Sequence, residues 1–264
     1  MFGKKKDKPE MVEREDGLTD YNVYVMGKQE KIGNLLLAAI ALFAVGYVFY
    51  HSKILSAILM LFALKWPAIR TRQIIEKRKN QLTLQFKDML YSLASALSVG
   101  KSVESGIRDA LQDLRVIYPD PQTDILVELE YILRGIGMNN TIESMFGQFA
   151  ERAHLEDVDN FVDIFVTCKR TGGDLMEVMR STSNTIGEKI EVKQEIETTI
   201  SGKKYEFHFM MVLPVIMVLF LTVTSGEYME PVFTEIVGRI AMTIAIAIFG
   251  VAYLVGSKIM KIQV

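Results

Sequence analysis

The sequence predicts an all-α membrane protein with a six-helix soluble domain inserted between two transmembrane helical hairpins. Three observations predict it. Four long apolar runs, Ile32–Tyr50, Ile54–Ile69, Phe207–Thr224 and Ile240–Gly256, fall in two pairs. A charged stretch from Arg70 to Glu206 separates the pairs. Within that stretch, apolar residues recur at helical spacing with almost no strand alternation.

A bilayer core of about 30 Å needs roughly 20 mostly apolar residues in a helix. The first, third and fourth runs meet that length; the second is shorter and carries Lys65. Half of the 264 residues are hydrophobic, yet 23% are charged, so the charge must be concentrated outside the apolar runs. The formal net charge of −2 argues against a nucleic-acid partner, which needs a basic surplus. Cys168 is the one cysteine, which rules out an internal disulfide. Its setting, Ile164-Phe165-Val166-Thr167-Cys168, reads as the buried face of a helix. No cleavable signal peptide is expected, because the first apolar run starts at Ile32 and is long enough to span. The polar residues before it, including Lys4-Lys5-Lys6 and Glu13-Arg14-Glu15-Asp16, are expected to be loosely held.

Charge orients the runs, since Lys and Arg favour the cytoplasmic flank. Lys28 and Lys31 precede the first run with five earlier basic residues close by, among them Lys8 and Arg14. Arg70, Arg72, Lys77, Arg78 and Lys79 follow the second run, Lys203 and Lys204 precede the third, and Lys258 and Lys261 follow the fourth. Both termini and the insert are thus expected in the cytoplasm. The external connections become His51-Ser52-Lys53 and Ser225–Glu235, the latter acidic and without Lys or Arg. Lys65, beside Trp66, and Arg239, the exception to the bias, can snorkel to the interface. The expected divisions are a polar cytoplasmic segment 1–31, a hairpin 32–69, the soluble domain 70–206, a hairpin 207–257 and a tail 258–264.

The insert resolves into six helices. Phe86, Met89, Leu90, Leu93 and Leu97 form the stripe of the first, which Gly100 ends. Ser102 can cap the second, with Val103, Ile107, Ala110, Leu111 and Leu114 inward. Pro119 and Pro121 mark a break. The third carries Leu126, Leu129, Ile132 and Leu133 and stops near Gly135–Gly137. Asn140 with Glu143 predicts a capping box ahead of Ile142, Met145, Phe146 and Phe149. The fifth starts near Asp157, with Phe161, Ile164, Phe165 and Cys168 inward, and Thr171-Gly172-Gly173 breaks it. Asp174 caps the sixth, whose apolar spacing runs through Leu175, Val178, Met179, Thr182, Ile186 and Ile190. Gly187 and Gly202 are soft spots rather than stops, because glycine costs only about 1 kcal/mol in a helix. This last helix therefore reads as a stalk entering the third apolar run near Phe207. The turns at Gly100, Gly137 and Gly173 share a form: glycine, polar cap, apolar helix start.

Catalytic chemistry is missing from the pattern. Gly100-Lys101-Ser102 is no phosphate loop: that motif needs a glycine where Ser95 stands, on a turn between strand and helix. His154, Glu156, Asp157 and Asp159 fit no zinc or EF-hand spacing. Acidic residues at a helix start are expected from the macrodipole. No central ionisable residue in the runs marks a transport path, and Pro214 predicts a kink rather than a site.

Three stretches resemble a known family. Phe86–Gly106, with Leu-Ser-Val-Gly-Lys-Ser-Val-Glu-Ser-Gly, resembles the opening helical turn of the type II secretion F domain. Thr167–Met179 resembles that domain's second hallmark, an (R/E)TGG(N/D)L turn. Leu213-Pro214, Glu227–Phe233, Gly238 and Lys261-Ile262-Gln263-Val264 look like the membrane end of the B-type (TadB-like) platform proteins of Tad, or tight adherence, pili. The resemblance implies a non-enzymatic, multi-pass platform in a bacterial cytoplasmic membrane, without cofactor or metal. It implies a separate hexameric secretion ATPase and pilin subunits as partners, besides membrane lipid. Only one F domain is present, so a second platform subunit (TadC-like) or a homo-oligomer is expected to supply the rest. The resemblance makes Gly100, Gly137, Gly172, Gly173 and Pro214 structural or coupling positions, not catalytic ones.

Two other classes compete. A membrane signalling subunit with a helical output domain would need an external input domain, and the external connections are short. A small transporter would need polar or broken helices at the midplane, for which only Pro214 speaks.

Overall fold

The computed structural model describes residues 18–50, 57 and 66–259, and among them every regular element is a helix. The helices are α1 (Lys28–Tyr50), α2 (Trp66–Ser98), α3 (Val103–Ile117), α4 (Asp124–Gly137), α5 (Ile142–Ala153), α6 (Glu156–Thr171), α7 (Leu175–Thr224), α8 (Gly226–Thr234) and α9 (Ile236–Ile259). Most of the second apolar run, with Lys65, lies outside the described residues, as do His51-Ser52-Lys53 and Lys261–Val264. The chain divides into two compact units. One joins the described residues 18–27 to 71–192, and the other joins 28–70 to the chain from 193 onward.

The first unit is a bundle of antiparallel helices. Across α2 and α3, Tyr118 Oη donates to Asp88 Oδ2 at 2.7 Å, and Ser92 bonds to Asp113. Across α4 and α5, Tyr131 faces Gln148 and Glu128 faces Arg152. Across α5 and α6, Lys169 Nζ reaches Glu143 Oε2 at 2.7 Å. Across α6 and α7, Lys189 reaches Asp157, and Ser183 Oγ closes the bundle by donating to the Lys87 carbonyl of α2 at 3.1 Å.

The apolar stripes read from the sequence form this core. Phe86, Met89, Leu90 and Leu93 are buried from α2, Ile107, Ala110 and Leu114 from α3, and Leu126, Leu129 and Ile132 from α4. At the centre, Phe161 stands edge-on to Phe86 and Phe146, with centroids 5.5 and 5.6 Å away, a favoured aromatic geometry. Burying such rings is the main driving force for the bundle, at about 25 cal/mol per Å² of apolar surface.

Four local expectations are corrected. Ile164 is half exposed, because α6 buries Val158, Phe161, Val162 and Phe165. At about 100° per residue, Ile164 lies well off that stripe. Cys168, on the stripe's edge, is partly rather than fully buried. The cap of α5 is Thr141, whose Oγ1 accepts the Ser144 N–H at 3.2 Å, and Glu143 turns to Lys169 instead of closing a box with Asn140. Finally, the segment before α1 is not loose throughout. Leu18 is buried, and Tyr21 is buried in the core of the bundle.

In the second unit, Tyr50 Oη of α1 donates to Thr243 Oγ1 of α9 at 3.0 Å. The Phe207 ring of α7 stacks on Tyr253 of α9, 6.3 Å between centroids. The connection Ser225–Glu235 contains a short helix, α8, folded back so closely on α9 that a Cβ on Gly238 would lie 2.5 Å from Val232 Cα. Among the described residues, α1, α7 and α9 are long and apolar enough to cross a membrane. Pro214 sits inside α7 without ending it.

Candidate functional site

Three turns of the bundle share one geometry, and they gather at one end. Gly100, Asn139 and Gly172 each take a left-handed conformation, with φ of 83°, 68° and 73°. In each turn the helix cap follows two residues later: Ser102, Thr141 and Asp174. An aliphatic residue then opens the next helix: Val103, Ile142 and Leu175. Ser102 Oγ accepts from the Ser105 N–H at 3.3 Å, and Asp174 Oδ1 accepts from the Met176 and Glu177 N–H groups at 2.9 and 3.2 Å. Since successive helices are antiparallel, the three turns lie together, at the end of the bundle opposite Thr71 and Val192. Exposed Val99 and Met138 flank two of them.

Gly137 was grouped with these turns in the sequence, but it is the last residue of α4, and the left-handed position belongs to Asn139. Asparagine tolerates that conformation better than other side chains, which is the signal that could have placed it. Gly172 needs its freedom for the positive φ. Gly173 is needed for another reason: a Cβ there would lie 2.7 Å from Cys168 Sγ. Pro214 stands far along α7, outside this group.

At the opposite end lies a buried polar network that the sequence did not reveal. Glu128 of α4 and Arg152 of α5 have side-chain exposures of 0% and 1% and form a two-pronged ion pair, Nη2–Oε2 2.6 Å and Nε–Oε1 3.1 Å. The Arg152 guanidinium also lies over the Tyr131 ring, 4.9 Å from its centroid. Tyr21 Oη donates to Glu128 Oε1 at 3.0 Å, and the Tyr21 N–H to the Arg152 carbonyl at 3.1 Å. Beside it, Arg78 clamps Asp124, Nη2–Oδ1 2.6 Å and Nε–Oδ2 3.0 Å. Burial pushes the Glu128 carboxyl above its usual range, against the opposing pull of Arg152. Burial, then the nearby Glu128 charge, pushes the Tyr21 phenol well up, so it stays a donor. A charged residue inside an apolar stripe, Glu128 between Ile125 and Ile132, is the signal that could have exposed the pair.

The residues considered for other chemistry are occupied otherwise. Lys101 pairs with Asp109 at 2.5 Å and Ser102 caps α3. His154 faces Asp20 at 3.2 Å and Asp157 pairs with Lys189 at 2.5 Å. Among the described residues, no group of three or more His, Cys, Asp or Glu side chains is placed to hold a metal ion.

Among the described residues, these features define an all-helical protein with three helices long and apolar enough to cross a membrane and a packed helical bundle with three turns at one end. The chain belongs to the type II secretion system protein F family, whose model matches residues 89–223, just over half of its length. The match runs from α2 through all three turns into the apolar part of α7. Members of that family are non-catalytic membrane platform proteins of secretion or pilus assembly machines. No curated protein and no solved structure matches the chain.

Proposed function

We propose that the chain is a TadB-like platform subunit of Tad-type pilus assembly in a bacterial cytoplasmic membrane. It is not itself an enzyme. It couples a separate cytoplasmic secretion ATPase to the extraction and polymerisation of pilin subunits, alongside a second platform subunit or further copies of itself. The family match over residues 89–223 carries this reading. Helix α7 supports the coupling: it buries Met179, Ser183 and Ile186 in the bundle core near its start, and its far end is an apolar stretch with Pro214. The turn end of the bundle, with Gly100, Gly172 and Gly173, is the part offered to the ATPase.

The contacts of Tyr21 support the proposed topology. Residues 18–27 pack on the same unit as 71–192, so both lie on one side of any membrane. If α1 crosses, a second crossing must occur before Thr71, where the run Ile54–Ile69 lies. In intact cells of a Cys168→Ala variant, a cysteine at Ser225 should be labelled by a membrane-impermeant maleimide, and one at Gln122 spared. The reverse pattern contradicts the topology.

Two further measurements test the role. The complex purified from membranes through this chain should contain a secretion ATPase; its consistent absence from complexes that retain pilin opposes the coupling. The chain alone should bind ATP with no stoichiometric isotherm, because Lys101 is spent on Asp109. A clear calorimetric isotherm would make Gly100-Lys101-Ser102 a nucleotide site after all.

A further inference from the structure

We propose that the membrane-entry end of the bundle is a peptide-binding site for an aspartate–tyrosine–asparagine turn, filled in cis by this chain's own residues 18–26. The geometry is that of a bound ligand. Tyr21 is buried while its neighbours Asn22 and Val23 are exposed. Its ring lies beneath the Arg78 guanidinium, 4.7 Å from the centroid, and its hydroxyl reaches Glu128 Oε1 at 3.0 Å. A phenol fits both demands, offering a π face to the cation and an O–H to a carboxylate shielded from bulk solvent.

The flanking residues add polar contacts. Lys79 Nζ donates to Asn22 Oδ1 at 3.0 Å and to the His154 carbonyl at 3.0 Å. Asp20 faces His154 at 3.2 Å, and its Oδ1 accepts the Asn22 N–H at 2.8 Å, which shapes the turn. The receiving residues come from α2, α4, α5 and the turn after α5, so the site exists only in the folded bundle.

This places a tether where none was expected. From Tyr21 to Lys28 the chain extends at most about 25 Å. While the site is filled, the chain leading into α1 is anchored to the bundle at Tyr21. Emptying the site releases that segment without unfolding the helices.

The test uses the full chain in detergent or nanodiscs. In the wild type, amides of residues 18–26 should exchange slowly. Tyr21→Ala should speed them by about tenfold or more while 103–171 stay protected. A labelled synthetic peptide of residues 16–27 should then bind the vacated site of the Tyr21→Ala chain about tenfold or more tighter than it binds the wild type, whose site is filled. The same peptide carrying Tyr21→Phe should bind about tenfold weaker, having lost the donor to Glu128. Should Tyr21→Ala also loosen 103–171, Tyr21→Phe in the full chain decides: the proposal requires faster exchange confined to 18–26. Fast exchange of 18–26 in the wild type overturns the proposal, and so does equal peptide binding by the wild-type and Tyr21→Ala chains.

Discussion

Arg152→Ala should destabilise the helical bundle by about 3–5 kcal/mol, a large part of the roughly 5–15 kcal/mol that holds a typical domain together. The substitution leaves Glu128 ionised at 0% exposure with Tyr21 as its remaining side-chain donor. The carboxylate would have to shed its charge or admit water, and either route opens the α4–α5 packing. Hydrogen-exchange protection of residues 103–171 in the full chain would measure the loss.

Two controls separate this cause from simple loss of volume. Glu128→Leu with Arg152→Met replaces the pair by apolar groups of similar size, an exchange that is often neutral or stabilising for buried ion pairs. It should recover most of the lost protection, and adding Tyr21→Phe should recover more, because the Tyr21 hydroxyl would otherwise have lost its acceptor. The pH dependence has a definite sign. Burial already raises the Glu128 pKa, and without Arg152 it rises further above the unfolded value. An acid whose folded pKa is raised loses stability as pH climbs from the unfolded to the folded pKa. The Arg152→Ala deficit should therefore shrink on acidification toward the usual carboxylate range. A deficit that persists unchanged at low pH would point to packing instead of charge.

Gly173→Val should abolish assembly while leaving a folded bundle. The added Cβ meets Cys168 Sγ at 2.7 Å, closer than van der Waals contact allows, so the sulfur or the turn must shift. Overpacking of this kind costs about 1–3 kcal/mol, less than the Arg152 change, so most molecules stay folded. The strain is relieved by moving the turn, and the turn sets how α7 leaves α6. A double-mutant cycle isolates the contact: Gly173→Ala should impair assembly, and Cys168→Ala, which removes the sulfur, should restore it. Gly172→Ala tests the neighbouring cause, a positive φ, and Cys168→Ala should not rescue it. If assembly merely follows protein abundance across these variants, the turn is structural and transmits nothing.

What the sequence revealed is what local chemistry encodes. The stripe Phe86–Met89–Leu90–Leu93, the Ser102 and Asp174 caps and the uninterrupted α7 each depend on residues a few positions apart, and each appears in the structure. Errors arose where two local signals competed. Asn140 and Thr141 are adjacent candidates for one cap, and only the left-handed Asn139 before them fixes which is used. Ile164 is apolar and three residues from Phe161, but Val158 and Val162 pull the stripe to the other side. Glu128 in its apolar stripe hinted at a buried pair, but nothing local joined Tyr21 to it, because the two are 107 positions apart. No periodicity joins a turn before the first membrane helix to an acid in the middle of the bundle. The turn geometry of the candidate site was half visible: glycines marked two of the three left-handed positions, and an asparagine holds the third.

The central claim is that this chain is an obligatory, non-catalytic platform between a cytoplasmic motor and membrane-embedded pilins. Depleting it, while the ATPase and pilins remain, tests that claim most directly. The measurement is the division of mature pilin between cytoplasmic membrane and assembled fibre, with and without the chain. The account predicts that fibres disappear, that pilin accumulates in the membrane, and that the purified ATPase still turns over ATP. Fibre assembly at normal levels without this chain would contradict it.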